Sequence, residues 1–323
     1  MSTLTFQACA SQLMHCSLNQ SEKESGVFTW EETQLIPFDE LIVSWDAQRP
    51  IIGSYLIQVS VLIAAWSPWL DYAFWGPNDQ YSFKHSLPEV SLEAFQDTIK
   101  VLNEHKANGF RIRVIAKEKA SLKQFRGLHV SAIDGTTHNI HLSHLENEFI
   151  NLNVAGLSQI TLPDERSLRL CSPTSTTAVI RFLSNSPLPS PLEFANTVVD
   201  SSFYIYGNWI LNTAQASHKL GGSYHCFVAH FTSFNQIFEQ LRKGNPVVVS
   251  VQGPLKGSAF LYESGHLLVV KGFDSKNKDV LCMDPAFSSN ALTNVKYALT
   301  DFLAAWGRRR GLTYVFNLDD KAQ

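Results

Sequence analysis

The feature that most limits what this chain can fold into is a change, near its middle, in the spacing of its apolar residues. Between residues 27 and 134, apolar and polar residues alternate in short runs, for example at 111–116 and 128–133. Alternation with a period of two is typical of strands with one buried face, and the Gly, Pro, Asn and Asp residues between the runs suit tight turns. The first half therefore predicts an antiparallel β-sandwich over residues 25–152.

The second half of the chain combines helices with strands. A capping box begins at Ser233, and from Phe234 onward apolar residues recur at i, i+3, i+4 and i+7, which predicts an amphipathic helix. Another helix is predicted from Thr174, because Pro173 stands at a first-turn position where its missing N–H matters least. Apolar strand-like runs follow at 246–251, 266–272, 279–283 and 312–318. This order predicts an α+β fold for residues 153–323.

The N-terminal segment has no clear pattern, and we expect residues 1–24 to form a disordered tail. It lacks the basic start and the apolar run of an ordinary signal peptide. The longest apolar run in the chain, at 59–66, is far too short for a membrane span. We therefore expect a soluble chain that is cytoplasmic as synthesised, with export by a route that needs no cleaved signal left open.

Charge and cysteine content exclude several classes of function. Lys and Arg number 26 against 29 Asp and Glu, and a net charge of −3 offers no attraction for nucleic acid or an anionic membrane. The basic run at 308–310 is typical of a solvated helix end. Five cysteines without regular spacing indicate free thiols in a reducing compartment rather than a disulfide framework. We expect neither nucleic acid nor a membrane among the partners.

Three residues of the second half could form a cysteine nucleophile site. Cys171 comes directly before the first turn that Pro173 begins, and a helix N-terminus lowers a thiol pKa from its ordinary value of about 8.5. His266 starts an apolar strand, and Asp284 precedes Pro285, which holds its backbone extended. Two neighbouring antiparallel strands would put His266 beside Asp284. The three side chains would then supply a nucleophile, a proton shuttle and an orienting carboxylate.

Five ordered blocks within residues 155–318 resemble papain-like cysteine peptidases of the bacteriocin-processing, double-glycine type. The blocks are Cys-Ser-Pro-Thr-Ser at 171–175, Tyr-Gly-Asn-Trp at 206–209, Gly-Asn-Pro-Val-Val-Val-Ser at 244–250, Gly-His at 265–266 with Gly-Phe-Asp at 272–274, and Asp-Pro-Ala at 284–286. The resemblance implies a papain-like domain, in which the helix that bears the cysteine packs on an antiparallel sheet. It also implies hydrolysis of a peptide bond by Cys171, with His266 and Asp284 completing a triad.

The same resemblance implies a glutamine, upstream of the cysteine, that donates to the oxyanion. Gln159 is the candidate, although its distance along the chain from Cys171 is longer than in papain. Glu165 stands at the position that the papain spacing would give, where an ionised carboxylate could not donate. Without Gln159, the backbone amide of Cys171 would act with little help. A non-catalytic, peptidase-like binding module would then be a credible interpretation.

The first half also resembles a known arrangement, the β-sandwich that precedes this peptidase in some bacterial proteins. The resemblance rests on residues 38–45, on Trp66 and Trp69, and on Trp75. Exposed indoles would suggest a platform for a carbohydrate or a protein partner. Indoles in the core of a sandwich explain the same residues, and we expect the core.

We expect no cofactor and no metal ion. The histidines of residues 138–144 recur every third residue, but their polar neighbours are typical of a linker rather than a metal site. His225, Cys226 and His230 lie between aromatic residues, which indicates packing rather than ligation.

Three functions stay open on the sequence alone. The first is a cysteine peptidase acting on a peptide or protein. The second keeps the site but changes the chemistry to acyl transfer, transglutamination or isopeptide cleavage. The third is the non-catalytic binding module. Double-glycine specificity belongs to peptidase domains joined to transporters, and it is not carried over because the sequence has no membrane span and no Walker-type loop. The oligomeric state is open.

Overall fold

The computed structural model describes residues 11–18, 26–142 and 147–319. These residues contain eighteen strands and five α-helices. The strands are β1 (Ser11–Ser17), β2 (Val27–Glu32), β3 (Glu40–Ala47), β4 (Ser54–Leu62), β5 (Leu70–Trp75), β6 (Gln80–Ser82), β7 (Lys84–Leu87), β8 (Leu92–Phe95), β9 (Thr98–Val101), β10 (Gly109–Lys117), β11 (Phe125–Ile133), β12 (Phe149–Asn151), β13 (Tyr224–His230), β14 (Val247–Val251), β15 (His266–Asp274), β16 (Asp279–Met283), β17 (Asn294–Ala298) and β18 (Leu312–Leu318). The helices are α1 (Cys171–Ser184), α2 (Pro191–Asn196), α3 (Trp209–Lys219), α4 (Phe234–Arg242) and α5 (Leu299–Gly307).

The first eleven strands form two antiparallel sheets. One sheet has the strand order β1-β11-β3-β9-β8-β7, and the other has the order β2-β10-β4-β5-β6. Both sheets contribute to one buried apolar cluster, in which Trp45 of β3 and Trp75 of β5 are fully buried. Their rings meet edge to face, with centroids 5.9 Å apart. This shared core explains why apolar residues alternate along the strands of the first half.

The tryptophans are divided between the core and the surface. Trp45 and Trp75 lie in the core, as expected, but the expectation is wrong for Trp66 and Trp69, which are only partly buried. The guanidinium of Arg111 lies 4.8 Å from the ring of Trp66 and 4.7 Å from that of Trp69. An indole can therefore be covered by a cation on the outer face of a sheet, which its position in the sequence does not reveal.

The third sheet is built from the second half of the chain. Its strand order is β13-β18-β14-β15-β16-β17, and β12 pairs with β15 off that path. Helix α1 packs against β15, and α4 packs against β14 and β15. The apolar stripe that predicts α4 is buried against this sheet. The second half is thus an α+β arrangement with an antiparallel sheet, as the sequence predicts.

Two boundaries differ from the sequence predictions. The disordered tail is wrong for residues 11–17, which form β1 and pair with β11. The side chains of this edge strand are only partly buried, so its sequence shows no strong apolar alternation. Residues 1–10 and 19–25 lie outside the described residues. Helix α1 begins at Cys171 rather than at Thr174, so the cysteine is part of the first turn.

The two halves of the chain are in close contact. Helix α3 and strand β13 pack against β3. Arg49, which follows β3, donates to the side chain of Gln215 at 3.0 Å and to the carbonyl of Thr197 at 2.8 Å. Strand β12, which the predicted boundary assigns to the first half, pairs with β15 of the third sheet. The division into a sandwich domain and a peptidase domain stays a prediction.

Among the described residues, no helix combines the length and the apolar character that a membrane crossing requires.

Candidate active site

Cys171 is the first residue of α1, and the residue as a whole is partly exposed. The first hydrogen bond of the helix runs from the N–H of Thr174 to the carbonyl of Leu170, at 3.0 Å. The N–H groups of Cys171 and Ser172 therefore have no carbonyl acceptor within the helix. Both lie at the positive end of the helix dipole. This position stabilises a negative charge on the sulfur or on an atom bound to it.

Polar side chains fix the first turn of α1 on the third sheet. The hydroxyl of Ser175 donates to the carbonyl of Leu267, the second residue of β15, at 3.0 Å. The hydroxyls of Ser172 and Tyr314 are 3.0 Å apart, and both residues are buried. These bonds satisfy hydroxyls that a helix on an apolar sheet would otherwise leave without partners. They also hold the thiol beside the start of β15.

His266 and Asp284 meet because their strands are antiparallel neighbours. His266 begins β15, Asp284 directly follows β16, and the two strands pair with each other. The ring nitrogen Nε2 of His266 lies 2.8 Å from Oδ1 of Asp284, and both residues are buried. The side-by-side arrangement that the sequence predicts for these two residues is present, which leaves Nδ1 as the nitrogen available to Cys171.

Two tyrosines that the sequence reasoning missed complete the surroundings of Asp284. The hydroxyls of Tyr262 and Tyr297 donate to Oδ2 of Asp284 at 2.7 and 2.6 Å, and the N–H of Ala286 donates to Oδ1 at 3.0 Å. The ring of Tyr262 also stacks on the imidazole of His266, with centroids 4.1 Å apart and an interplanar angle of 15°. Nothing in the local sequence of either tyrosine reveals this role, since it depends on how the loop and β17 fold over the site.

The electrostatics of the site favour an ion pair between sulfur and imidazole. Burial raises the pKa of the Cys171 thiol, but the hydrogen bond and charge of His266, with the N–H groups of Leu267 and Ser172, lower it below its ordinary value. Burial lowers the pKa of His266. The charge and the hydrogen bond of Asp284 raise this pKa by more than burial lowers it, so that the pKa is about 10. Burial would also raise the pKa of Asp284, but the imidazolium and the hydrogen bonds to the carboxylate hold it below its ordinary value. A thiolate and an imidazolium can therefore coexist near neutral pH.

Gln159 lies between the segments that carry Asp284 and Cys171. The residue is buried, and its N–H donates to the carbonyl of Pro285 at 2.9 Å. Its side-chain Nε2 donates to the carbonyl of Ser167 at 2.9 Å, in the short 3₁₀ turn that leads into α1. Glu165, which stands at the papain spacing, is exposed. Gln159 is thus close to the start of α1, and its contact with an oxyanion stays a prediction.

A surface cavity of about 580 Å³ lies next to the loop that leads to His266. Its lining includes Lys256, Phe260 and Arg308, but neither Cys171 nor His266. The cavity therefore does not identify the position of a substrate.

Comparison with known proteins adds a family relationship. The model of a family described as "Peptidase_C39 like family" matches residues 151–314 of the 323-residue chain. A solved structure from Bacillus anthracis, assigned provisionally as a C39-like peptidase, is similar at 17% identity with a TM-score of 0.41. The similarity covers 53% of this chain and 98% of the Bacillus anthracis chain. No curated protein matches the sequence.

Proposed function

This chain belongs to the Peptidase_C39 like family, and from that premise we propose that it is a cysteine peptidase that hydrolyses a peptide bond with Cys171 as its nucleophile. The family suggests the class of reaction and implies a peptide or protein substrate. The observation that carries the proposal is the 2.8 Å contact between Nε2 of His266 and Oδ1 of Asp284, at the start of the strand on which the first turn of α1, with Cys171, is held. In this proposal the peptidase part is papain-like and follows an N-terminal β-sandwich.

The attack step uses the thiolate of Cys171. The sulfur forms a bond to the carbonyl carbon of the substrate, and the electron pair of the C=O bond moves to the oxygen. The N–H groups of Leu267 and Ser172 support the thiolate before the attack and keep it in place. The negative oxygen that develops is stabilised by the N–H of Cys171 and by the amide of Gln159.

Gln159 suits the role of oxyanion donor because its nitrogen carries two hydrogens. The carbonyl of Ser167 accepts one of them, and that bond holds the side chain against the segment before α1. The other hydrogen is available for the oxyanion. A side chain locked by a neighbouring backbone group needs little reorganisation when the charge develops.

His266 moves the proton. Its imidazolium donates to the nitrogen of the leaving amine, the C–N bond breaks, and an acyl-enzyme remains on Cys171. The neutral imidazole then takes a proton from water, the water oxygen attacks the acyl group, and release of the acid product restores the thiolate and the imidazolium. Asp284 orients the ring through Nε2, and the stacked ring of Tyr262 limits its rotation.

The proposal is tested with thiol-reactive peptide probes. We expect wild type to be labelled rapidly and Cys171→Ala not to be labelled, since the sulfur that reacts is absent. Cys16→Ala is the matched control, because Cys16 is the other partly exposed cysteine among the described residues. Equal labelling of the Cys171→Ala variant would contradict the proposal, and a peptide library then gives the specificity of the wild type.

Hydrolysis is proposed rather than acyl transfer because the family whose model matches the chain is described as a peptidase family. Product analysis with added amines separates the two reactions. A hydrolase releases the free acid at all amine concentrations, whereas a transferase forms the amide in proportion to the amine.

A further inference from the structure

A second cluster of titratable side chains lies where the two halves of the chain meet. Asp46 of β3, His129 of β11 and His225 of β13 come from three strands that are far apart in the sequence. Oδ2 of Asp46 is 2.7 Å from Nε2 of His129 and 2.7 Å from Nδ1 of His225. One potential ligand atom from each residue lies within 4.8 Å of the others. We propose that these three side chains bind a zinc ion.

The outward-facing atoms of the three residues are already engaged. Nδ1 of His129 is 2.5 Å from Nδ1 of His15, and Nε2 of His225 is 3.6 Å from a carboxylate oxygen of Asp319. Oδ1 of Asp46 accepts the N–H of Cys226 at 2.9 Å. Histidines that bind a metal almost always use their second nitrogen in this way, because the outer bond fixes the tautomer and the ring orientation. Each of these outer contacts fixes the orientation of its residue, so that the other ligand atom of the residue points into the cluster.

Burial and access both suit an ion. Asp46 is fully buried and His129 is 4% exposed, whereas the side chain of His225 is 34% exposed. A cavity of about 250 Å³, lined by both histidines and by His15, opens beside the cluster. The ion can enter from this side, and a water molecule can complete its coordination. Three protein ligands with one open position are common for zinc.

The charges facing the cluster come from three elements. Asp46 contributes one negative charge, Asp319 of the C-terminal segment lies behind His225, and a guanidinium nitrogen of Arg126 is 3.9 Å from Asp46. Without a metal ion, both imidazoles must carry a proton on the nitrogen that faces the carboxylate. In the metal-bound state, zinc replaces these two protons as the positive partner of Asp46.

The donor set selects zinc over harder ions. Imidazole nitrogen suits zinc, whereas magnesium and calcium prefer sites made of oxygen. With zinc–nitrogen bonds of about 2.0 Å, neighbouring ligand atoms in a tetrahedral site are about 3.3 Å apart. The 2.7 Å contacts to Asp46 must therefore lengthen by roughly half an ångström, and the two ring nitrogens, which lie within 4.8 Å of each other, must adjust to the same spacing. The ring of His225, whose side chain is 34% exposed and lines the cavity, is the ligand that we expect to move.

The proposal revises the expectation from the sequence that no metal binds. Asp46 and His129 carry no local metal motif, and His225 is flanked by residues that indicate packing. Zinc at this position would connect β3 and β11 of the first half to β13 of the second half. We expect the ion to stabilise the folded chain, and this effect does not depend on the peptidase mechanism.

The test measures zinc binding to the full chain in a Cys171→Ser background, which removes the most reactive thiol as a competing ligand. We expect one zinc per chain by elemental analysis after dialysis. We expect cobalt, substituted for zinc, to give the intense visible absorption of a four-coordinate site without a sulfur-to-cobalt charge-transfer band. A folded protein that retains less than roughly one-tenth of an equivalent of zinc overturns the proposal, and so does a charge-transfer band, which would indicate a cysteine ligand.

Variants separate the proposed site from adventitious binding. His225→Asn and Asp46→Asn should each weaken zinc binding by about 100-fold or more, because each removes a ligand. His105→Asn, at an exposed histidine in a loop, is the control and should bind zinc like the parent. Asp46→Asn preserves an acceptor for the N–H of Cys226, so it remains informative if another variant unfolds. Unchanged zinc affinity in both ligand variants identifies the binding as adventitious and overturns the proposal.

Discussion

Two buried carboxylates in this protein each bind histidine, and they differ in how their remaining hydrogen bonds are used. Asp284 contacts one imidazole, and its other oxygen accepts hydrogen bonds from Tyr262 and Tyr297. Asp46 has one oxygen between two imidazoles, those of His129 and His225. The two carboxylates therefore differ in the number of rings that converge on them.

This difference indicates different chemistry. At Asp284 the tyrosines occupy one oxygen, so the carboxylate can orient only a single ring, and that ring has its second nitrogen free for Cys171. At Asp46 two ring nitrogens converge on one carboxylate oxygen, and once these nitrogens lose their protons three ligand atoms face one small space. The first arrangement suits proton transfer, and the second suits a cation.

The largest expected effect that separates the two carboxylates is the loss of peptidase activity in Asp284→Asn. An amide cannot supply the negative charge that raises the pKa of His266 and keeps its imidazolium beside the thiolate, and the same change in a serine triad lowers the rate about 10⁴-fold. Asp279→Asn, at the other end of β16, is the matched control and should change the rate less than roughly two-fold. Measurement of kcat/KM decides the matter, and an Asp284→Asn rate close to that of the control would mean that the carboxylate does not orient His266.

The oxyanion donor gives the next largest effect. Gln159→Ala should lower kcat about 100-fold to 1000-fold with little change in KM, because the lost hydrogen bond forms fully only in the transition state. Glu165→Ala provides the control at the papain spacing and should behave like wild type, since that side chain is exposed. If Glu165→Ala lowers kcat and Gln159→Ala does not, Glu165 rather than Gln159 contributes to the site.

The Asp46 cluster predicts an effect on stability without an effect on catalysis. At a zinc concentration about 100 times the dissociation constant, the ion should stabilise the folded chain by about 2.7 kcal/mol and raise Tm by roughly 5 °C. Chelation should reverse this shift and leave the peptidase rate at 25 °C nearly unchanged. Thermal unfolding and rate measurements on the same samples test this. A parallel loss of activity would show that the two carboxylates are not independent.

The smallest effect is expected for Tyr297→Phe. Removal of this hydroxyl leaves Oδ2 of Asp284 with the single hydroxyl of Tyr262, at a cost of about 1–2 kcal/mol in the free energy of unfolding. The rate should fall only several-fold, since His266 keeps its hydrogen bond to Oδ1. Denaturant unfolding provides the free energy. A stability equal to that of wild type would mean that Tyr297 does not hold the carboxylate.

The sequence predicts the parts of this structure that local chemistry determines. The capping box and the apolar stripe predict α4, and Pro173 predicts a helix start close to the true one. Cys171, His266 and Asp284 each stand at a helix or strand end, where local context suggests their proximity. These features depend on residues within a few positions of one another.

The parts that the sequence did not predict depend on distant partners. Strand β1 forms because it pairs with β11 at the edge of its sheet. The Asp46 cluster forms only when β3, β11 and β13 pack together. Tyr262 and Tyr297 reach Asp284 from a loop and from β17. Their spacing in the sequence carries no period that could reveal such contacts.

The central claim is that His266 keeps Cys171 ionised, and the rate of alkylation of Cys171 as a function of pH tests it most directly. The lowered pKa of the thiol and the pKa of His266 near 10 predict a reactive thiolate–imidazolium pair between these two values. Below the thiol pKa the sulfur is protonated and the rate falls, and near pH 10 a second change should mark the loss of the imidazolium proton. In His266→Ala the pKa of the Cys171 thiol should rise towards its ordinary value. A wild-type protein whose Cys171 reacts with a single transition near pH 8.5, about that of an ordinary thiol, would contradict the account.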